Sequence, residues 1–231
     1  MALSEKSPIQ EIIVTNLKIE ARVEPDDAVN DLLPVITKPH AEFMVHVGAR
    51  NKAENVLLKA EGRRNYRRAK LVPFLVPFGL KVAGHFGSRV DAGYTRIFLM
   101  SPSEIGSAPE RDMPVLVTSL VAAINANETP AELKKAAAPL LAAATAYLTE
   151  STATTKAAFA LVQATEEVAK GRSKCLDAQA SLRGALQARF PRKPKIVAAY
   201  FPPAKKAGKK AAAAVEAPVV AAQDTQDDAK G

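Results

Sequence analysis

The side chains best suited to chemistry in this sequence are the basic ones between positions 59 and 70. A helix would place four of them, spaced by 4, 4 and 3 residues, in one stripe with two arginines beside it: Lys59, Arg63, Arg67 and Lys70, then Arg64 and Arg68. Tyr66 lies within the stretch and could stack on a base. Because guanidinium groups match phosphate geometry, the stripe predicts binding of DNA or RNA without sequence readout.

A second group of basic residues lies in the stretch AKKAGKKAAAA, which begins at Ala204 and contains Lys205, Lys206, Lys209 and Lys210. This stretch is similar to the Ala/Lys-rich tails of linker-histone-type and other nucleoid-associated proteins. The resemblance implies that its lysines neutralise phosphates and release counterions. Two plainer interpretations stay open. The tail could only solubilise the protein, and the 59–70 stripe could be a solvated face that pairs with acids such as Glu166 and Glu167.

An apolar run, LVPFLVPFGL from Leu71 to Leu80, follows the stripe directly. A basic segment next to an apolar one can lie on an anionic membrane surface. However, ten residues with two prolines cannot cross a hydrocarbon core of about 30 Å, and a protein core would bury the same phenylalanines. We therefore expect no membrane partner.

Candidate metal-binding and catalytic residues are few. His40 and His46 are six residues apart, so they do not share a helical face. Cys175 is the only cysteine, which excludes an intramolecular disulfide and a cysteine-based zinc cluster. The stretch GHFGSR at 84–89 matches neither a phosphate-binding loop nor a nucleophile elbow. We therefore predict no enzyme activity, no cofactor, no metal and no small-molecule substrate.

Composition favours helices as the elements that position these residues. The chain has 231 residues, a net charge of +8, 44 alanines and no tryptophan. Alanine is the best helix former, whereas strands prefer β-branched and aromatic residues. Charge is concentrated in two blocks, +6 over residues 50–70 and +10 over residues 171–210. The first residues lack the apolar stretch of a secretory signal, so we expect a cytoplasmic protein.

The first 37 residues read as an arm that contains a strand. From Leu17 to Glu24 apolar and charged residues alternate with period 2, which is typical of a half-buried strand. This pattern predicts a small β element formed by residues near 12–23 and 94–100, with 195–201 as a second partner for the strand. The alternative is an extended arm lying across helices.

Residues 38–190 are predicted to form a helical bundle with an irregular insertion at 84–114. One helix should run from about 39 to 71, with Met44, Val45, Val56, Leu57 and Ala60 on one apolar face and a break or kink at Pro73 and Pro77. Thr129-Pro-Ala-Glu132 predicts a capping box that starts a second helical region.

A long helix from Ser151 to Phe190 should follow. A heptad seam marks its inner side, at Ala158, Leu161, Thr165, Val168, Arg172, Cys175, Gln179, Leu182 and Leu186. This seam should be widened into the buried face of a globular bundle by Phe159, Val162, Ala169, Leu176 and Ala180.

These predictions combine into a mainly α protein built on an elongated antiparallel helical hairpin or bundle. A proline-rich connector at 191–203 and a disordered Ala/Lys-rich tail at 204–231 should follow the bundle. Such an architecture suits a non-enzymatic scaffold that self-associates or docks a protein partner along its long helices. The alternative is a sequence-independent, nucleoid-type DNA- or RNA-binding protein.

Overall fold

The computed structural model describes residues 8–202, and this part of the chain consists of helices joined by turns. The helices are α1 (Ile9–Val23), a short 3-10 helix (Asn30–Leu32), α2 (Leu33–Phe86), α3 (Ala92–Ile97), α4 (Pro102–Ser107), α5 (Met113–Asn125), α6 (Ala131–Ala136), α7 (Ala138–Arg189) and α8 (Pro194–Tyr200). Since residues 8–202 contain no strand, the prediction of a mainly α fold is confirmed. The predicted disordered tail, with its four lysines, lies outside the described residues.

Two long helices, α2 and α7, dominate the fold. They contain 54 and 52 residues, which corresponds to about 80 Å each at about 1.5 Å per residue. They run in opposite directions, because Glu42 contacts Lys174 near the start of α2 whereas Arg63, further along, contacts Glu150. The predicted antiparallel hairpin is therefore confirmed, and both helices are longer than predicted.

Helix α2 continues through Pro73 and Pro77, where we predicted a break or a kink, so no break occurs there. A proline inside a helix costs about 3 kcal/mol, because it removes a backbone hydrogen bond and crowds the preceding turn. Leu71, Leu75 and Phe78 are buried on the same stretch, in the largest core cluster. The burial of these side chains offsets the cost of the prolines, so packing overrides the local preference.

The predicted β element at 12–23 and 94–100 is wrong. Residues 9–23 form α1, in which Ile12, Asn16, Ile19 and Val23 are fully buried. Their spacing of 4, 3 and 4 residues is helical, and the period-2 alternation that begins at Leu17 is a coincidence over one short stretch. Residues 92–97 form α3, and no residue from 98 to 100 is in a strand.

The predicted irregular insertion at 84–114 is largely helical. It holds α3, α4 and the start of α5. Ser101 and Glu104 form a capping box at the start of α4, which was not predicted. The aromatic rings of Tyr94 and Phe98 stack with their centroids 5.4 Å apart. This segment is therefore part of the core and not a loop beside it.

The predicted capping box at Thr129 is also wrong. The Thr129 hydroxyl donates a hydrogen bond to the carbonyl of Ala123, at 2.8 Å, and so closes the end of α5. Helix α6 then starts after Pro130 with no side-chain cap. Thr129 is buried, so its hydroxyl needs a hydrogen-bond partner. The carbonyl of Ala123, earlier in the chain, fills this role instead of the predicted backbone amide of Glu132.

The smaller helices pack at the two ends of the hairpin. One large apolar cluster joins the second half of α2 and the start of α7 to α3–α6. Two further clusters join the start of α2 and the end of α7 to α1 and α8. Helix α8 lies within the predicted proline-rich connector, where Val197 and Tyr200 are buried. The middle of the hairpin contributes no residue to any of these clusters.

Candidate functional site

The hairpin has two flanks that can be told apart by their contacts, and one of them carries ion pairs between α2 and α7. Lys174 Nζ lies 3.0 Å from a Glu42 carboxylate oxygen, and Arg63 Nε lies 3.1 Å from one of Glu150. Glu42 and Arg63 are three heptads apart, and seven residues return a helix to nearly the same side. We call this side the ion-pair flank. Val56 of α2 lies on it, one heptad before Arg63.

The opposite side, which we call the covered flank, lies beneath the small helices. At one end, His40 Nδ1 of α2 hydrogen-bonds to Glu20 of α1 at 2.7 Å. At the other end, Arg68 Nη2 donates to the carbonyls of Gly106 and Ala108, at 3.0 and 2.7 Å, at the end of α4. Because His40 and Arg68 are four heptads apart, α1 and α4 cover the same flank of α2.

Between these two ends the covered flank is bare. The apolar clusters that the small helices form with the hairpin include no residue of 48–67 in α2 or of 149–167 in α7, since they stop at Val47 and Val168 in one direction and at Leu71 and Leu148 in the other. We call this gap the slot. At about 1.5 Å per residue it is about 30 Å long, enough for a helix of the length of α1.

The apolar side chains near the slot overturn two predictions. Phe159 and Val162, predicted to be buried, are 63% and 55% exposed. Met44, Val45 and Val56 were predicted to share a face with Leu57 and Ala60. Ala60 is buried and Leu57 partly buried, but the other three are exposed. Leu58, on the slot side, is 60% exposed. The physical reason is that two helices alone can bury only one seam, and no third helix covers the rest.

The structure divides the predicted basic stripe into structural and exposed residues. Arg68 holds α4 onto the hairpin through the two carbonyls just described. Arg64 forms an ion pair with Glu110, and Arg63 forms one with Glu150. These three guanidinium groups have partners within the described residues, and their assignment to nucleic-acid binding stays a prediction.

Lys59, Arg67 and Lys70 are the exposed remainder of the stripe. Within residues 8–202 none of the three takes part in an ion pair. The Arg67 Cζ and Lys70 Nζ atoms lie 5.8 and 5.6 Å from the ring centroid of Tyr66. The Tyr66 side chain is itself 57% exposed. An exposed aromatic ring between two cations can offer both a stacking surface and phosphate contacts.

A buried polar cluster holds α1 against the hairpin. Gln179 Nε2 of α7 donates to Asn16 Oδ1 at 2.6 Å, and the Glu20–His40 pair lies one turn further along α1. Asn16 Nδ2 and His40 Nε2 are buried and have no hydrogen-bond partner in the described part of the chain. The two polar pairs, Asn16–Gln179 and Glu20–His40, thus fix the position of α1 on the hairpin, although one nitrogen of Asn16 and one of His40 stay without a hydrogen bond within residues 8–202.

The other candidate residues have structural surroundings. Burial raises the pKa of the Cys175 thiol to about 11, which keeps it protonated and unreactive at neutral pH. No group of three or more His, Cys, Asp or Glu in residues 8–202 is arranged to hold a metal ion. Gly87 ends α2 with a positive φ of 77°, a conformation that suits glycine. The glycines of the GHFGSR stretch therefore include a helix terminator.

Comparison with known proteins gives no relative. No protein family, no characterised protein and no solved structure shows significant similarity to the chain. Within the described range, none of the helices is long and apolar enough to span a bilayer.

Proposed function

We propose that this chain is a non-enzymatic helical interaction protein that docks proteins along the middle of its α2–α7 hairpin, in the cytoplasm. The observation that carries the proposal is the slot. Leu58 and Val162 are each more than half exposed there, Val162 lying two heptads after Leu148 of the covered end, and the exposed ring of Phe159 lies one helical turn from Val162. Clusters of exposed apolar side chains on a folded surface mark protein interaction sites, whereas single ones need no explanation.

The arrangement of the hairpin supports the proposal. Its ends are built into cores by α1 and by α3–α6, so the bare middle is held between two stable regions. A surface that is held rigid before binding loses little entropy on binding. The slot can therefore bind a partner without folding first.

Photocrosslinking in the cells that express the protein tests this proposal. We would replace Val162 with photoreactive p-benzoylphenylalanine and compare it with the same replacement at Ala160. Both positions are exposed, but Ala160 lies two heptads before Lys174, on the ion-pair flank. We expect a protein adduct from position 162 and none from position 160. The absence of an adduct at 162, or equal adducts at both positions, would contradict the proposal.

A second candidate function is sequence-independent nucleic-acid binding. It is favoured by the exposed cations Lys59, Arg67 and Lys70 around Tyr66. The tail lysines 205, 206, 209 and 210 lie outside the described residues and would add to the same charge. Such binding weakens steeply as salt rises, because counterions are released from the phosphates.

A salt titration separates this function from the first. Duplex DNA and RNA would be titrated at several salt concentrations with the native chain and with a triple Lys59→Gln, Arg67→Gln, Lys70→Gln variant. We expect the triple variant to bind more weakly and with a shallower salt dependence. Lys156→Gln, which removes an exposed positive charge on α7 outside the stripe, is the control and should bind like the native chain. Binding that is undetectable at low salt would exclude the candidate.

A further inference from the structure

We infer that the slot binds a basic amphipathic α-helix of a partner protein. This inference rests on the proposed function and names its partner. It follows from comparing the slot with the two regions beside it, where the same flank of α2 is covered by helices of this chain. In those regions, the α2 side chains at the same heptad positions as those of the slot contact a covering helix. Their contacts show which side chains a helix in the slot must supply.

One heptad position of α2 faces the covering helix along the whole flank. It is occupied by His40, Val47, Glu54, Glu61 and Arg68. At the ends, His40 meets the carboxylate of Glu20 in α1, and Arg68 meets two carbonyl oxygens at the end of α4. Each polar side chain at this position therefore contacts a group of opposite polarity in the helix that covers it.

Within the slot this position carries two carboxylates, Glu54 and Glu61, and no covering helix of residues 8–202 pairs with either of them. Glu61 is partly buried, and residues 8–202 supply no ion pair to it. Glu54 lies 3.5 Å from Arg50 of its own helix, a weak pair on the surface. A covering helix with Lys or Arg on its docking face would complete the pattern seen at both ends.

The neighbouring heptad positions on the covered flank are uncharged. The next heptad position outward on α2 holds Asn51, Leu58 and Asn65, and it continues at Val72 and Gly79. There α4 packs closely, since a Cβ added to Gly79 would lie 2.4 Å from Pro102 Cγ. On α7 the position of Gln179, which contacts α1, repeats at Thr165 and Ala158. The slot therefore offers aliphatic contacts through Leu58 and Val162, together with the Arg50–Glu54 pair and the carboxylate of Glu61, to which residues 8–202 supply no ion pair.

This charge pattern also selects against other occupants. A nucleic acid in the slot would meet the carboxylate of Glu61, whereas the exposed cations Lys59, Arg67 and Lys70 lie outside the two inner heptad positions. A second copy of the chain, docked slot to slot about a two-fold axis, would bring the acidic pairs of both copies towards each other. A basic helix is attracted by the same groups.

Two matched peptides test the inference on the full-length protein. The probe is a synthetic helical peptide of about 16 residues, a length of about 24 Å, with Leu and Ala on one face and two lysines at its edge. Its twin has Glu in place of the two lysines. Fluorescence anisotropy would measure the binding of each. Because the protein carries a net charge of +8, non-specific attraction favours the acidic twin, so a preference for the basic peptide reports on the slot.

We expect the basic peptide to bind at least about tenfold more tightly than its twin, a difference of about 1.4 kcal/mol. Glu61→Lys should reverse the preference, and Leu58→Lys should abolish binding. The control is Val56→Lys, an exposed valine two residues away on the ion-pair flank, and it should bind like the native protein. Circular dichroism would confirm that all variants remain folded.

Three results would overturn the inference. The two peptides could bind equally well, or Val56→Lys could weaken binding as much as Leu58→Lys. The purified protein could instead sediment as a dimer that Leu58→Lys dissociates and Val56→Lys does not. This last result would make a second copy the occupant and would leave the proposed function standing, whereas failure of the photocrosslinking at Val162 would remove both.

Discussion

Gly171 of α7 lies directly against the ring of Phe43 in α2. A Cβ added at position 171 would lie 3.1 Å from Phe43 Cδ2, closer than ordinary van der Waals contact. Phe43 is fully buried, so its ring has no free space to move into. Glycine at this position allows the two long helices to approach each other where α1 packs onto both of them.

Gly171→Leu should destabilise the protein by about 1–3 kcal/mol, the usual effect of overpacking a core. The matched control is Gly184→Leu in the same helix, where a Cβ would meet nothing within 4 Å. There the better helix propensity of leucine should raise stability by up to about 1 kcal/mol. Urea unfolding followed by circular dichroism measures both. Equal effects of the two substitutions would show that position 171 is not tightly packed.

Arg68→Met should weaken the attachment of α4. The substitution keeps much of the aliphatic stem but removes two hydrogen bonds from a charged donor to the carbonyls of Gly106 and Ala108. Hydrogen bonds to charged groups contribute about 1.5–3 kcal/mol, so we expect a loss of about that size in urea unfolding. Arg67→Met, at an exposed neighbouring position, should change stability by less than about 0.5 kcal/mol. If Arg68→Met left the free energy of unfolding unchanged, Arg68 would not hold α4 onto the hairpin.

Stability should fall at alkaline pH because of Tyr200. Burial, together with a hydrogen bond to the Asp26 carboxylate, raises the pKa of Tyr200 from 10.0 to about 12. The unfolded chain then loses the phenolic proton at a lower pH than the folded one. The contribution of this group is therefore complete below pH 10 and is lost as the pH rises from 10 to 12.

The Tyr200→Phe variant tests this linkage. Its urea midpoint should decline less between pH 9 and pH 11.5 than that of the native protein. Tyr66→Phe, at an exposed tyrosine, should leave the decline unchanged. The same decline in the native and Tyr200→Phe proteins would assign it to other groups.

Cys175 should resist alkylation in the folded protein. Burial raises the pKa of its thiol from 9.0 to about 11, and Sγ lies 3.5 Å from the carbonyl oxygen of Pro39. A shift of this size reduces the thiolate, which is the reactive form, roughly a hundredfold near pH 8. Iodoacetamide should therefore modify the native protein far more slowly than the protein in urea, as mass spectrometry would show. Equal rates would mean that the thiol is accessible.

The successes and failures of sequence analysis have a common cause. Val168, Cys175, Leu182 and Leu186 were correctly assigned to an inner seam, because helical periodicity is a local property of the chain. Phe159, on the same helix, was wrongly assigned to a buried face. Its burial depends on a third helix at that level, and periodicity carries no information about where other helices lie.

The basic stripe shows the same limit. The spacing of Lys59, Arg63, Arg67 and Lys70 correctly places them on a helix. Arg68 has the same residue type in the same stretch, yet it holds α4 in place. Its partners, Gly106 and Ala108, are backbone carbonyls about forty positions away, and backbone groups leave no trace in the residue types of a sequence.

The amino-acid sequence by itself determined the helical class, the presence of a long helix at each side of the glycine- and proline-rich segment, and their apolar seams. Alanine content and heptad spacing act through the local backbone, so they can be recognised without knowing the fold. Only the tertiary structure decided which helices cover which parts of the hairpin, and so which side chains are left exposed in the slot. This coverage depends on where α1 and α4 lie. Their positions are determined by contacts between residues that are far apart in the chain.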